Sequence, residues 1–515
     1  MPLTNSPKPP TDSEQHSPDP GSHFFQTEHI TNDLRRRTVR SGAITISAQG
    51  LKFLITTGST VILARLLSPD DYGLVGMVTV VIGFVQLFKD LGLVQATIQQ
   101  EQITHQQVST LFWINVILSV VIAILVALLA PIIAWFYQEP RLVRITLLLA
   151  TTFIFGGLTV QHQALLRRQM SFNVLAKIDI ASLLVGVIVA QVSAFYGAGY
   201  LALIYMQLVI SILGVGGVWL ACPWRPGYPR WTPEIRPMLS FGGNLTGFRC
   251  LNYFSRNFDN VMIGRVWGAS ELGLYSKAYQ LLLLPINQVN KPVYSVVLSA
   301  LSRLQSDPDR YSRVYFKAVL GITTLGMPLV AVLFATAEQV IFVLLGQNWM
   351  GVVPIFQFLM PAAFIATFTI STGWVYQSLG QVDRQFRWGI FSSSINIVTF
   401  LVSVRWGAIG VAAAYGIIQP ILLAIEVVYC YRGVHLKPID LLKTLAKPAF
   451  ASLGSAGLII LFNRLVAMPF PPLISLGLDV CLYGLLYIAL WMIIPGGKKT
   501  LFDLLKVTQD FKRKT

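Results

Sequence analysis

The residues of this chain whose types and spacing could form a binding site are charged and amide side chains inside long apolar segments. Within residues 238–264, polar positions recur at steps of three or four, and they are Arg249, Asn252, Arg256, Asp259 and Asn260. Residues spaced in this way share one face of a helix. A charged side chain at the centre of a membrane costs about 2.5–3.5 kcal/mol. We therefore predict that this face meets water or an anionic ligand rather than lipid.

Three lysines in other apolar segments extend the same pattern. Residues 272–298 hold Lys277 and Lys291 at near-helical steps, with Gln280 and Asn287 or Gln288 between them, and residues 42–64 hold Lys52. No acidic residue stands three or four positions from Arg249 or Lys52. The sequence thus predicts a cavity for an anionic head group, formed by Arg249, Arg256, Lys52, Lys277, Lys291 and Asn252.

Several of these residues could instead have a purely structural role. Lys277 and Lys291 could reach the lipid head groups from the ends of their segment. Arg256 and Asp259 could form a buried ion pair that stabilises the bundle. Three acids are candidates for ion or proton coupling: Asp259, Asp179 and Glu426. Asp179 and Glu426 could equally lie at the inner mouth, beside Lys177 and Arg432 respectively.

No catalytic or metal-binding signature accompanies this pattern. The four cysteines lie in separate apolar segments and the six histidines are scattered, so we expect neither a disulfide framework nor a metal site. Walker, HExxH and GxSxG motifs are absent from the sequence. The loops predicted on the outer side are mostly shorter than about ten residues, too short for a folded reaction site. We expect a protein that is not an enzyme and needs no cofactor.

The elements that must position these side chains are membrane-spanning helices. The chain is 54% hydrophobic and only 12% charged, against about 25% charged residues in a globular protein. We predict an all-α integral membrane protein of about fourteen spans, each long enough for the hydrocarbon layer. They are approximately 42–64, 73–96, 110–136, 143–165, 174–196, 199–222, 238–264, 272–298, 314–345, 352–379, 386–404, 408–430, 446–466 and 472–494.

The distribution of positive charge predicts the orientation. With the N-terminus inside, most of the 39 Lys and Arg residues lie in or beside cytoplasmic segments, as the positive-inside rule describes. This bias explains the net charge of +16 without nucleic acid. Both termini are then cytoplasmic, and the polar, Pro-rich residues 1–40 are typical of a disordered tail. We expect no secretory signal.

Two short stretches recur at equivalent places in the two halves of the chain. "ARLLSPDDYGLVGM" (64–77) and "GRVWGASELGLYSK" (264–277) share Arg65/Arg265, Gly73/Gly273 and Leu74/Leu274. "FYGAGYLALIY" and "RWGAIGVAAAY" share Gly197/Gly407 and Tyr205/Tyr415, with a changed spacing that indicates an insertion around the third and fourth helices of the second half. We interpret the first motif as a structural turn rather than a ligand site.

The repeat predicts two parallel six-helix lobes that face each other across a V-shaped cleft. The predicted divisions are a tail (1–40), an N-lobe (41–222), a cytoplasmic linker (223–237), a C-lobe (238–431), helices 13 and 14 (445–495) and a basic cytoplasmic tail (496–515). The last two helices have no counterpart in the first half.

Several stretches, taken in order, resemble the bacterial polysaccharide flippases of the colanic-acid-exporter-like and O-unit-translocase type, within the multidrug/oligosaccharidyl-lipid/polysaccharide exporter superfamily. They include "SGAITISAQG", "ILARLLSPDDYGLVGM", "QATIQQEQITHQQVSTLFWINV", "QALLRRQMSFNVLAKID", "DNVMIGRVWGASELGLYSKAYQLLLLP", "LGQNWMGVVPIFQFL" and "SLGQVDRQF". The resemblance covers about residues 38–495.

This resemblance implies a substrate and a mode of transport. The substrate would be an undecaprenyl-pyrophosphate-linked oligosaccharide, moved to the outer leaflet of the bacterial cytoplasmic membrane by rocking of the two lobes. The positive side chains would hold the diphosphate, to which Arg offers paired donors, while the polyprenyl tail stays among membrane lipids. Partners would include a polysaccharide polymerase or export complex.

The sequence leaves three further functions open. A cation-coupled multidrug antiporter of the same superfamily usually has twelve helices and an acid deep in its first lobe, where this chain has Lys52. A flippase for the peptidoglycan lipid precursor also has fourteen helices. A membrane polysaccharide polymerase or ligase usually carries a large outer loop with arginines, which we do not find.

Overall fold

A computed structural model of the chain describes residues 34–87, 97–98, 103–229, 235–466 and 470–499. At positions 34–41, 43, 235–252, 255, 287, 291, 292 and 295 the description covers the backbone alone. Three predicted segments lie partly outside the described residues: 1–33 of the N-terminal tail (1–40), 230–234 of the linker (223–237) and 500–515 of the basic C-terminal tail (496–515). Residues 34–40, predicted as disordered tail, instead form the start of a helix.

Helices account for almost all of the described chain. A single helical stretch, Ile235–Ser302, is divided at Gly268, where φ is +82°, into α7 (235–267) and α8 (269–302). The others are α1 (Leu34–Leu66), α2 (Pro69–Gln86), α3 (His105–Tyr137), α4 (Arg141–Arg168), α5 (Phe172–Phe195), α6 (Leu201–Ala221), α9 (Pro308–Ala335), α10 (Ala337–Leu344), α11 (Val352–Ser378), α12 (Val382–Ser403), α13 (Gly407–Tyr431), α14 (Pro438–Leu465) and α15 (Pro472–Ile493).

Local sequence signals explain where these helices begin. Ser68 caps α2 by accepting a hydrogen bond from the Asp71 amide, and the Asp71 carboxylate accepts one from the Ser68 amide in return. Pro69 occupies the first turn, where its missing N–H costs nothing. Thr104 and Gln107 form the same reciprocal cap on α3. Such capping boxes satisfy amide groups that the helix itself leaves unpaired.

The predicted fold class, an all-α integral membrane protein, is confirmed. Ten segments of the described residues are long and apolar enough to cross a membrane, one of which, Val382–Tyr431, contains both α12 and α13. The described part of α2 and the polar pair α7 and α8 are not among the ten. The number fourteen therefore stays a prediction. The short helix α10 and a 3-10 turn at Gln347–Trp349 lie between α9 and α11, where the sequence indicated an insertion.

Contacts between the helices follow the predicted two-lobe plan. In the first lobe α3 packs on α4, α5 on α6, and α1 on α5. In the second, α11 packs on α13 and on the α7–α8 stretch, while α12 packs on α13. Helix α2 makes its main contacts with α7–α8 of the other lobe. Helices α14 and α15 contact α9 and α10, so the additional pair lies against the C-lobe.

One end of the bundle, here called the distal end, is defined by contacts among the turns after α1, α3, α5, α7 and α10. Arg65 Nη2 donates to the Val343 carbonyl at 2.8 Å, and Trp349 Nε1 donates to the Ala64 carbonyl at 2.7 Å. Arg141 Nη1 lies 2.9 Å from Asp70 Oδ2. These bonds tie the first turn of the first lobe to α4, α10 and the 3-10 turn at the same end.

The two repeated turns meet each other at the distal end. A Cβ atom at Gly73 would lie 1.7 Å from the backbone oxygen of Ala269, and one at Gly273 would lie 1.9 Å from the backbone oxygen of Pro69. Pro69 and Ala269 occupy equivalent places in the two copies, as do Gly73 and Gly273. The contact is therefore reciprocal, and only glycine permits so close an approach of two backbones.

Candidate functional site

A cavity of about 430 Å³ lies between the two lobes, beneath the paired turns. Helices α1, α2, α5 and α6 form one wall, and α7 and α8 form the other. Most of its polar side chains are neutral; they are Thr56, Ser59, Thr60, Tyr72, Thr79, Gln207, Tyr253, Asn257, Asn260, Ser276 and Gln280. Apolar residues such as Leu63, Val187 and Leu272 complete the walls.

Lys277 is the one charged residue among the described residues that line this cavity. Its side chain is 5% exposed, so it does not extend to the lipid head groups, as it would in the purely structural role. The ammonium nitrogen lies 3.9 Å from the centre of the Tyr72 ring and 3.3 Å from Gln280 Oε1. A cation over an aromatic face is attracted by the electron density of the ring. Lys277 thus connects α8 to α2 of the opposite lobe.

The cavity is closed on its distal side. Leu272 and Gly76 line it, and one turn further along the same helices Gly73 and Ala269 are in backbone contact. Trp349 packs edge-on against Tyr72 with ring centres 5.3 Å apart. Among the described residues, the two repeated turns therefore block the distal side of the cavity, and a solute could pass between them only if they separated.

Lys52 lies one helical turn from the cavity and is paired. Its ammonium group bonds to the carboxylate of Asp179, so α1 is joined to α5. Thr56 and Leu183, four residues further along each helix, line the cavity. The sequence did not predict this pair. Lys52 has no acidic residue near it in the sequence, and Asp179 is 127 positions away. Asp179 thus bonds to Lys52 rather than to Lys177, its predicted neighbour.

The polar face of α7 is divided among three environments. Asn260 lines the cavity. Asp259 is 5% exposed, and its carboxylate accepts hydrogen bonds from the Tyr275 hydroxyl and the Asn260 amide, both at 2.8 Å. Arg256 is exposed. Among the described residues Asp259 forms no salt bridge with Arg256, so the buried ion pair considered for these two residues is wrong for this structure.

For three predicted site residues the structure describes the backbone and not the side chain. Arg249, Asn252 and Lys291 belong to α7 and α8, and their side chains lie outside the described part of the chain. Their assignment to the cavity stays a prediction.

Glu426 belongs to the interior of the C-lobe rather than to the cavity. Its Oε1 accepts a hydrogen bond of 2.8 Å from the hydroxyl of Thr372, which joins α13 to α11. Arg432, the predicted neighbour, instead offers its backbone carbonyl to Arg384 at 3.0 Å. The described residues contain no group of three metal-binding side chains that could hold a metal ion.

Sequence reasoning missed most of the neutral polar lining. Thr56, Ser59 and Thr60 stand at steps of three or four in α1 and carried a usable signal. Tyr72 and Gln207 carried none, because an isolated polar residue in an apolar segment does not reveal which neighbour it faces. Together these groups offer hydroxyl and amide partners around one buried cation. Such a lining suits a ligand that has both an anionic group and many hydroxyl groups.

A protein-family model described as "Polysaccharide biosynthesis protein" matches residues 62–354. The match includes both copies of the repeated turn and every described residue that lines the cavity except three on α1.

Curated relatives carry related names. The chain is 25% identical to the lipopolysaccharide biosynthesis protein WzxC of Escherichia coli (strain K12) over 393 residues, covering 75% of this chain and 79% of the relative. It is 28% identical to the teichuronic acid biosynthesis protein TuaB of Bacillus subtilis (strain 168) over 340 residues, covering 65% and 70%. It is 26% identical to the succinoglycan biosynthesis transport protein ExoT of Rhizobium meliloti (strain 1021), covering 70% and 71%.

Solved transporter structures share the fold. The lipid II flippase MurJ in an inward closed conformation has a TM-score of 0.69 at 14% identity, covering 88% of this chain and 98% of that one. An inward-facing multidrug resistance transporter of the MATE family has a TM-score of 0.60 at 15% identity, covering 74% and 94%. Both likenesses concern the fold alone. The family model covers more than half of the sequence, so the chain belongs to the polysaccharide biosynthesis protein family.

Proposed function

We propose that this protein moves an undecaprenyl-pyrophosphate-linked oligosaccharide from the cytoplasmic to the outer leaflet of the bacterial cytoplasmic membrane. The product serves the biosynthesis of a surface polysaccharide such as O-antigen, capsule or exopolysaccharide. Family membership supports this function, and so do the names of relatives concerned with lipopolysaccharide, teichuronic acid and succinoglycan.

The observation that carries the proposal is the position of Lys277. It is a buried cation on the wall of a cavity whose other described polar lining is neutral. Burying an ammonium group is costly unless a partner offsets the lost hydration. Tyr72 and Gln280 offset only part of it, whereas a diphosphate would supply full negative charge. A cavity for cationic drugs would instead need an acidic lining, so the lining favours anionic cargo over the multidrug antiporter alternative.

The closed distal end supports alternating access. In this mechanism the sugar and diphosphate enter from the opposite side and the polyprenyl chain stays in lipid. A diphosphate that reaches Lys277 competes with the Tyr72 ring for the ammonium group. Since Tyr72 and Lys277 belong to different lobes, this exchange weakens one attraction between the lobes and favours separation of the repeated turns. The distal end faces outside in this proposal, in agreement with the charge bias of the sequence.

The remaining predicted residues take secondary roles in this proposal. Arg249, Arg256, Lys291 and Asn252 of α7 and α8 would meet the head group as it enters, and Lys52 would be shared between Asp179 and the substrate. Asp259 and Glu426, each hydrogen-bonded within the C-lobe, are candidates for ion or proton coupling. A polysaccharide polymerase or export complex would receive the product.

Replacing the buried cation tests the proposal. We expect Lys277→Gln to lower the flipping rate of labelled lipid-linked oligosaccharide in proteoliposomes by about 10- to 150-fold, since a charged hydrogen bond contributes about 1.5–3 kcal/mol. Lys277→Arg, which keeps the charge, should retain measurable transport. Lys317→Gln on α9, an exposed lysine remote from the cavity, is the matched control and should transport normally. Normal transport by Lys277→Gln would contradict the proposal.

A further inference from the structure

Three polar side chains from three different helices converge near the distal end, outside the cavity. Asp479 of α15 accepts hydrogen bonds on Oδ2 from Gln339 Nε2 of α10 and from Asn463 Nδ2 of α14, both at 2.8 Å. Helix α15 is otherwise largely exposed and apolar. A carboxyl group here is therefore an exception in a segment that mostly faces lipid.

The charge of Asp479 is not matched by a positive side chain. The residue is 0% exposed, and its second carboxylate oxygen, Oδ1, has no hydrogen-bond partner. Within the described ranges, the salt bridges do not include Asp479. The two amides are neutral and add no positive charge to the group. A buried carboxylate in this state is strongly unfavourable unless it meets a cation.

The charged neighbours on the packed helices do not supply that cation. Glu338 precedes Gln339 on α10 and Arg464 follows Asn463 on α14, but both side chains are exposed whereas Asp479 is fully buried. Glu338 is an acid and would add to the negative charge. Among the described residues no basic side chain therefore neutralises the group, which leaves a proton or an external cation.

We propose that Asp479, Asn463 and Gln339 bind one monovalent cation, and that this cation is Na⁺. Carboxylate and amide oxygens are the ligands that hard cations prefer. Each amide carries both donors and an acceptor, so a half-turn about its terminal torsion replaces the N–H group by a carbonyl oxygen. The carboxylate and two such carbonyls then present up to four oxygens from three helices. One negative charge matches a monovalent ion, whereas a divalent ion would leave an excess positive charge in an apolar surrounding.

The bound ion would have a structural consequence. Gln339 belongs to the C-lobe, whereas Asn463 and Asp479 belong to the additional helices α14 and α15. A shared Na⁺ would fasten this helix pair to the lobe at its distal end. This inference gives the last two helices a role and does not depend on which substrate the cavity carries.

Binding of radioactive ²²Na⁺ to the purified full-length protein in detergent tests the site directly. We expect saturable binding to the wild type that excess unlabelled NaCl displaces and choline chloride does not. Asp479→Asn should lower the affinity of this site at least tenfold, because it removes the charge while keeping the shape. Asp440→Asn, an acid at the other end of α14, is the matched control and should bind as the wild type does.

A second variant and a second measurement distinguish loss of the ion site from misfolding of the protein. Gln339→Ala alters a half-buried residue and removes one oxygen, and it should weaken binding while the protein stays monodisperse. NaCl should raise the unfolding temperature of the wild type more than KCl does, and this difference should vanish in Asp479→Asn. Unchanged ²²Na⁺ binding by Asp479→Asn, loss of binding in Asp259→Asn alone, or no saturable binding to the wild type would each overturn the proposal.

Discussion

Individual charges of this protein are held by partners from distant parts of the chain. Lys52 bonds to Asp179, Lys277 lies over Tyr72, and the Asp259 carboxylate accepts the Tyr275 hydroxyl. In each case a polar contact joins two helices. The same principle applies at the distal surface, where Arg141 bonds to Glu139 and to Asp70.

The ion pair of Glu139 predicts a pH dependence of stability. The Arg141 guanidinium, through its hydrogen bond, lowers the pKa of the Glu139 carboxyl below its ordinary value of 4.5. A carboxyl whose pKa is lower in the folded protein stabilises the fold above the unfolded pKa, and this contribution is lost as the pH falls through the folded pKa. Because the pair is largely solvent-exposed, we expect only about 0.2–1 kcal/mol.

Thermal unfolding of Glu139→Gln in detergent checks this expectation. The variant should melt slightly below the wild type at pH 7, and the difference should shrink to nothing as the pH is lowered below 4.5. Glu338→Gln, an exposed acid that forms no ion pair among the described residues, is the control. A difference between Glu139→Gln and wild type that persists unchanged in acid would show that the pair is not its source.

Pairs of helices decide whether the cavity is open or closed. Helix α2 of the first lobe and helix α8 of the second approach each other through the repeated glycines Gly73 and Gly273. Both contacts involve backbone atoms, which cannot move aside as a flexible side chain can. The closed arrangement of these two helices therefore tolerates no side chain at either position.

A methyl group at this contact should open the distal end. In Gly73→Ala, the new Cβ would overlap the Ala269 carbonyl oxygen, 1.7 Å away, and overpacking of this kind costs about 1–3 kcal/mol. Relief requires the turns to separate, so the population shifts towards the distally open state. In a background without the native cysteines, a cysteine at Thr60 should react roughly tenfold faster with an impermeant maleimide added from the distal side.

The same helix provides a close control. A Cβ at Gly76 would meet the Leu272 side chain at 3.6 Å, which is an ordinary contact. Gly76→Ala should therefore leave the labelling rate at Thr60→Cys unchanged. Equal rates in Gly73→Ala and Gly76→Ala would mean that the glycine contact does not control access to the cavity.

The complete bundle has an internal symmetry and a direction. Its two lobes are parallel copies joined at the distal end, and the additional pair α14 and α15 lies against one lobe alone. In the closed arrangement the described turns 69–73 and 269–273 are in contact on the distal side of the cavity. Which of the two ends faces the cytoplasm determines whether the described state accepts or releases cargo.

Two exposed tyrosines at opposite ends report the orientation. Tyr196 follows α5 at the distal end and is 82% exposed, and Tyr228 follows α6 at the other end and is 91% exposed. We expect Tyr196→Cys to react with an impermeant maleimide in spheroplasts, and Tyr228→Cys to react only after the membrane is permeabilised. The reverse pattern would place the distal end in the cytoplasm and invert the proposed direction of access.

The sequence by itself determined that this is an all-α membrane protein with a duplicated helix set, and which apolar segments carry charges. These features are local, since length, apolarity and motif order are written along the chain. The tertiary structure decided that Lys277 lines a cavity, that Lys52 pairs with Asp179, that Asp259 bonds to Tyr275 and that Gln339, Asn463 and Asp479 converge. The physical reason is that lipid is as apolar as the interior of the bundle, so hydrophobic periodicity does not show which face of a helix is buried. Only the packing of the helices fixes their rotation, and with it the partner of each charge.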